Sequence, residues 1–111
     1  MDTSKVIDMW GMFYGCSSLT SVPEMDVSNV TGMDYMFDGC SSLTDLGGFA
    51  GLKSNLDLYY CPLTHDSIMN VINKAADVTA SPATLTLWSD NLAKLSDEEK
   101  AVATNKGWTL A

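Results

Sequence analysis

The groups with the greatest chemical capacity in this chain are one histidine and three cysteines. His65 is the only histidine; Cys61 precedes it by four residues and Asp66 follows it directly. A thiol, an imidazole and a carboxylate are the groups of a nucleophilic triad. Here they fall at a predicted turn between a strand and a helix, Asp66 lies on the wrong side in sequence to orient the ring, and no recognisable oxyanion-hole motif accompanies them. We therefore expect a histidine with a structural or solvent-facing role, and no enzyme activity.

The three cysteines are predicted to be buried core residues with no reactive role: Cys16, Cys40 and Cys61. A free cysteine behaves as a small, well-buried hydrophobe, so an interior column of thiols is the preferred interpretation. A disulfide between two of them is the second interpretation, and it would require their Cα atoms to lie within about 7 Å of each other. A zinc site is disfavoured, because the chain has no CxxC pair and a single histidine.

Carboxylates are the remaining candidate ligands, and five aspartates occur in the first half of the chain. They lack the alternating D-x-D-x-D-G spacing that places several oxygens around one calcium ion. We interpret them as solvated turn residues, namely Asp2, Asp26, Asp34, Asp38 and Asp45. The sequence thus predicts no metal site and no cofactor.

The charge balance narrows the classes of partner. Fourteen acidic residues stand against six lysines, with no arginine, for a formal net charge of −8. Such a surface repels the phosphates of nucleic acids and anionic membrane surfaces and favours basic protein surfaces. No run of 18 or more apolar residues is present, so no membrane span is expected.

The elements that must position these residues begin with an internal repeat. Residues 2–25 and 26–49 are two copies of a 24-residue unit, and 12 of the 24 positions are identical. The apolar positions match, and they are Val6/Val30, Met9/Met33, Met12/Met36, Phe13/Phe37, Cys16/Cys40 and Leu19/Leu43. Other positions differ, among them Trp10/Asp34, Gly11/Tyr35 and Tyr14/Asp38. This pattern indicates stacked units that share a core and vary at the surface.

Within each copy the apolar spacing predicts a helical turn followed by a short strand. Met9, Met12 and Phe13 have i, i+3, i+4 spacing, and an extended stretch follows around residues 19–22. We assign this Met/Phe stripe to the core. Pro23 cannot donate a ladder hydrogen bond, so it should end its strand.

After Phe49 the units lengthen. Alternating apolar residues predict strands at 55–60 and 84–88, and Thr64 is a predicted N-cap of the helix between them. Ser96 and Glu99 form a predicted capping box for a second helix. Gly107 is expected to end that helix as its C′ residue, and a last strand at 108–110 should pair beside the strand at 84–88.

The string DxSNVTxMxxMFxGCSSLT, complete at 26–44 and nearly so at 2–20, resembles the BspA-like branch of bacterial leucine-rich-repeat proteins. The segment 55–111 is similar to the part that closes such arrays. This resemblance implies an α/β fold, a right-handed leucine-rich-repeat solenoid with short strands on one face and helices or helical turns on the other. It further implies a single domain, 1–111, in which residues 50–111 are longer strand–helix units that form a C-terminal cap.

The same resemblance implies a non-catalytic protein-binding or adhesion module of a bacterial surface or secreted protein. The expected location is extracellular or the cell surface of a bacterium, with the export signal outside this segment. The expected partner is a host extracellular-matrix or epithelial protein. The alternative is a structural spacer without its own ligand. Because the chain starts at a repeat boundary, self-association through the exposed N-terminal repeat is a further expectation.

Candidate binding residues are the outward positions that differ between copies, together with aromatic residues of the cap. They are Trp10, Tyr14, Tyr35, Asp38, Tyr60 and Trp88. Aromatic side chains carry much of the energy at protein interfaces. The competing interpretation is that several of them cover the core.

Overall fold

The computed structural model describes residues 8–111, which contain seven short strands and three helices. The start of the first repeat, including Asp2 and Val6, lies outside the described residues. The elements in chain order are β1 (Ser21–Val22), β2 (Met25–Asp26), β3 (Asp45–Leu46), β4 (Phe49–Ala50), β5 (Leu56–Asp57), α1 (His65–Lys74), β6 (Thr84–Thr86), α2 (Ser89–Leu92), α3 (Asp97–Thr104) and β7 (Thr109–Leu110).

The two repeat copies pair with each other in parallel. In β1 and β3, Ser21 lies opposite Asp45, and in β2 and β4, Met25 lies opposite Phe49. Both registers correspond to the 24-residue offset of the sequence alignment. Pro23 lies between β1 and β2, so each strand is only two residues long and Pro23 ends its strand as expected.

The turn regions of the two copies are also joined by backbone hydrogen bonds. Alternate amides of the first copy, at residues 9, 11, 13 and 15, donate to carbonyl oxygens of the second copy over distances of 2.7 to 2.9 Å. Residues 10–15 and 34–39 form turns and contain no α-helix. The first copy is therefore attached along most of its described length to the second.

Side-chain caps begin two of the three helices of the second half, α1 and α3, at the predicted residues. Thr64 accepts a hydrogen bond from the Ser67 amide at the start of α1, and Ser96 and Glu99 form the capping box of α3. Gly107, with φ of 90°, has the two hydrogen bonds of a Schellman motif: its amide donates to Thr104 O, and the Trp108 amide donates to Ala103 O. The final strand β7 pairs in parallel with β6, which confirms its predicted position.

One core joins the two halves. Phe37 lies between Phe13 and Phe49, with ring centroids 5.6 and 5.7 Å away, and α1 packs against β3 and β4. Most of the predicted Met/Phe stripe is buried, including Met33 and Phe37 at 1% exposure. The prediction is wrong for Met12, which is 40% exposed.

The prediction of a right-handed leucine-rich-repeat solenoid is wrong. Across residues 8–111 the strands form three separate parallel sheets, β1–β3, β2–β4 and β5–β6–β7, with no continuous sheet along one face. The molecule is a small compact α/β globule with principal extents of 32 × 29 × 18 Å. The physical reason is the brevity of the strands: Pro23 and the Gly47–Gly48 pair interrupt them, so successive units do not extend a common sheet.

Candidate functional site

Four predicted binding residues line one open hollow on the surface, called here the aromatic hollow: Trp10, Tyr14, Tyr35 and Asp38. Its volume is about 450 Å³. The Trp10 and Tyr35 rings meet edge to face, with centroids 5.6 Å apart and planes at 70°. The three aromatic side chains are 55 to 61% exposed, so they do not cover the core. Both repeat copies contribute two residues each to the aromatic hollow.

Local hydrogen bonds hold the first copy's part of the aromatic hollow. The Trp10 amide donates to Asp8 Oδ1 at 2.8 Å, and the Gly11 amide donates to Asp34 O at 2.9 Å. The Tyr14 amide then donates to Gly11 O and closes the turn. The two aromatic side chains of this copy therefore project from a turn anchored to the second copy.

Tyr35 has a left-handed backbone conformation, with φ of 58°. The equivalent residue of the first copy is Gly11, with φ of 61°. Glycine adopts this conformation without a steric penalty, whereas a residue with a Cβ does so at a cost of about 1–2 kcal/mol. Strain of this kind is concentrated at functional positions in proteins. The second copy thus places an exposed aromatic ring where the backbone favours glycine.

A second hollow of about 380 Å³ adjoins the aromatic hollow at Tyr35, which lines both. We call it the polar hollow; its remaining lining residues are Met33, Asp34, Asn55, Leu56, Asp57, Thr84 and Thr86. Two carboxylates, an amide and two hydroxyl groups give it hydrogen-bonding capacity. The Thr84 amide donates to Asn55 Oδ1 at 2.8 Å and joins β6 to the residue before β5.

The other two predicted binding residues lie in a separate group with Tyr59, called here the Trp88 cluster. The centroid of Tyr60 is 4.1 Å from that of Tyr59 and 5.1 Å from that of Trp88. Tyr60 is 60% exposed, whereas Trp88 is partly buried. Both have positive φ, 64° and 79°. The six predicted residues therefore fall into two groups, of four and of two.

His65 begins α1 and takes part in two contacts with carboxylates. Its Nε2 lies 2.5 Å from Glu99 Oε2 of α3, and its Nδ1 lies 3.2 Å from Asp66 Oδ1. The expectation that Asp66 is badly placed to meet the ring is wrong, because the side chain folds back beside it. The hydrogen bonds to Glu99 and then Asp66 raise the pKa of His65. The Ser96 amide, followed by His65, lowers the pKa of Glu99.

All three cysteines are free thiols. Cys40 Sγ donates to Phe13 O at 3.1 Å, and Cys61 Sγ donates to Phe37 O at 3.9 Å. Burial raises the pKa of the Cys61 thiol to about 12, so this group stays protonated at neutral pH. A protonated, buried thiol is a poor nucleophile and a poor metal ligand.

Among residues 8–111, no group of three or more histidine, cysteine, aspartate or glutamate side chains is arranged to hold a metal ion. Of the five aspartates considered, Asp2 lies outside this range. In the same range, no helix has both the length and the apolar character needed to cross a membrane.

Sequence reasoning missed the polar hollow. Its residues come from a repeat turn, from β5 and from β6, and Asn55 and Thr84 are 29 residues apart. Nothing in the spacing of these common polar residues marks them as a group. The strain at Tyr35 had a readable signal, namely the Gly11/Tyr35 difference between two otherwise similar turns.

The comparisons with known proteins concern the repeated half of the chain. Residues 1–52 match the model of a family described as "Mycoplasma protein of unknown function, DUF285". The match covers 52 of 111 residues and is a similarity of that part of the chain. No curated protein and no solved structure matches the chain.

Proposed function

We propose that this chain is a non-catalytic protein-binding module of a bacterial surface or secreted protein, and that it binds through the aromatic hollow. The observation that carries the proposal is the position of its residues. Position 10 of the first copy is equivalent to position 34 of the second, and the residues there are Trp10 and Asp34. Tyr14 and Asp38 likewise occupy equivalent positions, so the residue type differs between the copies at both. Most core positions are identical in the two copies, whereas every residue that lines the aromatic hollow occupies a position that differs between them.

The physical properties of the aromatic hollow favour a macromolecular ligand. Three exposed aromatic rings supply apolar area with few rotatable bonds, which limits the entropy lost on binding. The open shape suits a side chain or segment of another protein better than an enclosed small molecule. The strain at Tyr35 supports the same proposal, because a glycine would fit the backbone better and contribute no ring.

Two sequence similarities support the bacterial setting. The string at 26–44 resembles BspA-like surface proteins, and the match over residues 1–52 is to a family found in Mycoplasma, whose description assigns no activity. We accordingly propose a host extracellular-matrix or epithelial surface protein as the partner.

The test is binding of the purified protein to a panel of purified matrix and epithelial surface proteins. The decisive variant replaces Trp10, Tyr14 and Tyr35 by alanine, and the matched control is Tyr59→Ala, an exposed tyrosine outside the aromatic hollow. We expect a saturable partner that the control retains and the triple variant loses. Binding retained by the triple variant would sink the aromatic hollow as the site. No binding to any member of the panel would favour the spacer alternative.

A further inference from the structure

The chemistry of the aromatic hollow points to a particular kind of ligand group. Its lining combines three aromatic rings with one carboxylate, Asp38. An apolar side chain would pack on the rings but would bring Asp38 into a drier environment without a partner, which is costly. A cation satisfies both parts, since it is attracted to the faces of aromatic rings and to the carboxylate.

The surrounding charge favours the same ligand group. Asp34 and Asp57 line the adjoining polar hollow, and both hollows share Tyr35. The whole chain has a net charge of −8 and contains no arginine. A negative potential at this surface attracts basic segments and raises their rate of association.

The geometry distinguishes between the two basic side chains. The Trp10 and Tyr35 rings are nearly perpendicular, so a flat group stacked on one ring meets the edge of the other. A guanidinium is planar, stacks on aromatic faces and presents a fork of donors to a carboxylate, whereas an ammonium is a compact, strongly hydrated charge. An arginine therefore uses the rings and Asp38 together.

We propose that the aromatic hollow binds an arginine side chain of a partner protein, with the guanidinium stacked on the aromatic rings and hydrogen-bonded to the Asp38 carboxylate. The inference rests on the proposed function and identifies the ligand group that the binding surface takes.

The probe is a short peptide, acetyl-Gly-Arg-Gly-amide, compared with its citrulline counterpart, which keeps the planar shape and loses the charge. The readout is the NMR resonance of the Trp10 indole N–H, assigned from a Trp10→Phe variant. We expect saturable movement of this resonance with the arginine peptide and affinity at least about tenfold lower for citrulline, the factor that 1.4 kcal/mol represents.

A matched pair of carboxylate variants tests whether the charge of Asp38 itself contributes to arginine binding. Asp38→Asn removes the charge and keeps the shape, whereas Asp45→Asn does the same at an exposed aspartate of β3 outside the aromatic hollow. We expect Asp38→Asn to weaken arginine binding about fivefold or more and Asp45→Asn to leave it unchanged. Affinity for the arginine peptide should also fall between about 0.05 M and about 0.5 M NaCl, because exposed charges are screened.

Three results would overturn the arginine assignment. They are equal affinity for arginine and citrulline, equal weakening by Asp38→Asn and Asp45→Asn, and no movement of the Trp10 resonance with the arginine peptide. None of these affects the panel experiment, in which loss of binding by the triple aromatic variant is measured with whole proteins. Failure of the ligand assignment is therefore distinguishable from failure of the proposed function.

Discussion

The described part of the repeated region, residues 8–49, and the cap, residues 50–111, are stabilised in different ways. The repeated region contains no α-helix, and its strands are two residues long. Parallel copy-to-copy hydrogen bonds and a row of three phenylalanine rings hold it together. The cap contains all three described helices, and side chains of Thr64 and Ser96 close two of their N-termini. Backbone hydrogen bonds and phenylalanine contacts between the copies can thus stabilise a region that has no capped helix. These contacts do not involve the outward side chains, which are therefore free to differ between the copies.

The largest test of this comparison is Phe37→Ala. Phe37 is 1% exposed and lies at the centre of the repeated region, so its truncation should cost about 3–5 kcal/mol in the free energy of unfolding. Urea unfolding should be followed by far-ultraviolet circular dichroism, because the helices that dominate the signal all lie in the cap. We expect the helix midpoint to fall, since both regions share one core.

The control for this variant is Tyr14→Ala, an exposed aromatic truncation that should stay within about 0.5 kcal/mol of the parent protein. An unchanged helix midpoint in Phe37→Ala would mean that the two regions unfold separately and that the shared core has little energetic importance.

Ser67→Ala tests the junction between the two regions. The Ser67 hydroxyl donates to Thr44 O and accepts from the Leu46 amide, both at 3.0 Å, and so joins α1 to β3. Its removal leaves the amide of the buried Leu46 without its acceptor, whereas Thr44 O keeps the hydrogen bond from the Thr64 amide. The loss should cost about 1–3 kcal/mol, measured by thermal or urea unfolding.

Ser54→Ala is the matched comparison for the junction. The buried Ser54 hydroxyl has no hydrogen-bond partner within residues 8–111, so its removal should be neutral or slightly stabilising. Similar losses for both serine variants would contradict a specific role for the Ser67 hydrogen bonds.

The strain at Tyr35 can be measured with two variants that both delete the ring. Tyr35→Gly should be more stable than Tyr35→Ala by about 1 kcal/mol, because only glycine accepts positive φ without a penalty. At Tyr14, which lacks positive φ, the order should reverse by a few tenths of a kcal/mol, because glycine increases the entropy of the unfolded chain. If the glycine variant were the more stable one at both positions, or the less stable one at both, backbone strain at Tyr35 would be contradicted.

The smallest expected effect is the pH dependence of the contact between α1 and α3. His65 has a raised pKa, so its contribution to stability is complete below its ordinary pKa of about 6.5 and is lost as pH rises through the folded-state value. Glu99 has a lowered pKa, so its contribution is present above its ordinary pKa of about 4.3 and is lost as pH falls through the folded-state value.

The contact should therefore stabilise the cap most at mildly acidic pH. Unfolding midpoints measured from pH 4 to pH 9 should be highest in that mildly acidic range. In the His65→Gln variant, the fall in the midpoint as pH rises through the folded-state pKa of His65 should be absent. Identical pH profiles for His65→Gln and the parent protein would contradict the assignment.

Local features of this molecule could be predicted from sequence, whereas its assembly could not. The caps at Thr64 and Ser96 and the Gly107 motif depend on residues three to five positions apart, and all three are confirmed. The solenoid was an expectation from the family resemblance, and the three separate sheets of short strands contradict it. The contact of His65 with Glu99 spans 34 residues and depends on how α3 packs against α1, which no local pattern records.

The residues of the candidate site could be predicted from sequence, whereas their arrangement in space could not. Differences between the copies identified Trp10, Tyr14, Tyr35 and Asp38, because each of these positions exchanges a residue for one of a different chemical type, which a shared core would not accept. Their convergence on one hollow depends on the copy-to-copy hydrogen bonds. The polar hollow requires β5 and β6 to lie beside the repeat turn, which is a property of the tertiary structure.

Lys106 has a practical consequence for attaching this protein to a solid support. Its ammonium donates to the carbonyl oxygens of Ile72, Asn73 and Ala75, at 3.0 to 3.1 Å, at the end of α1. These three hydrogen bonds hold the ammonium against the backbone at the end of α1, so an amine-reactive reagent must displace them to reach the nitrogen. The side chain of Lys53 is exposed and should react before Lys106. Since no lysine among residues 8–111 lines the aromatic hollow, brief amine coupling through these lysines should leave its four lining residues unmodified.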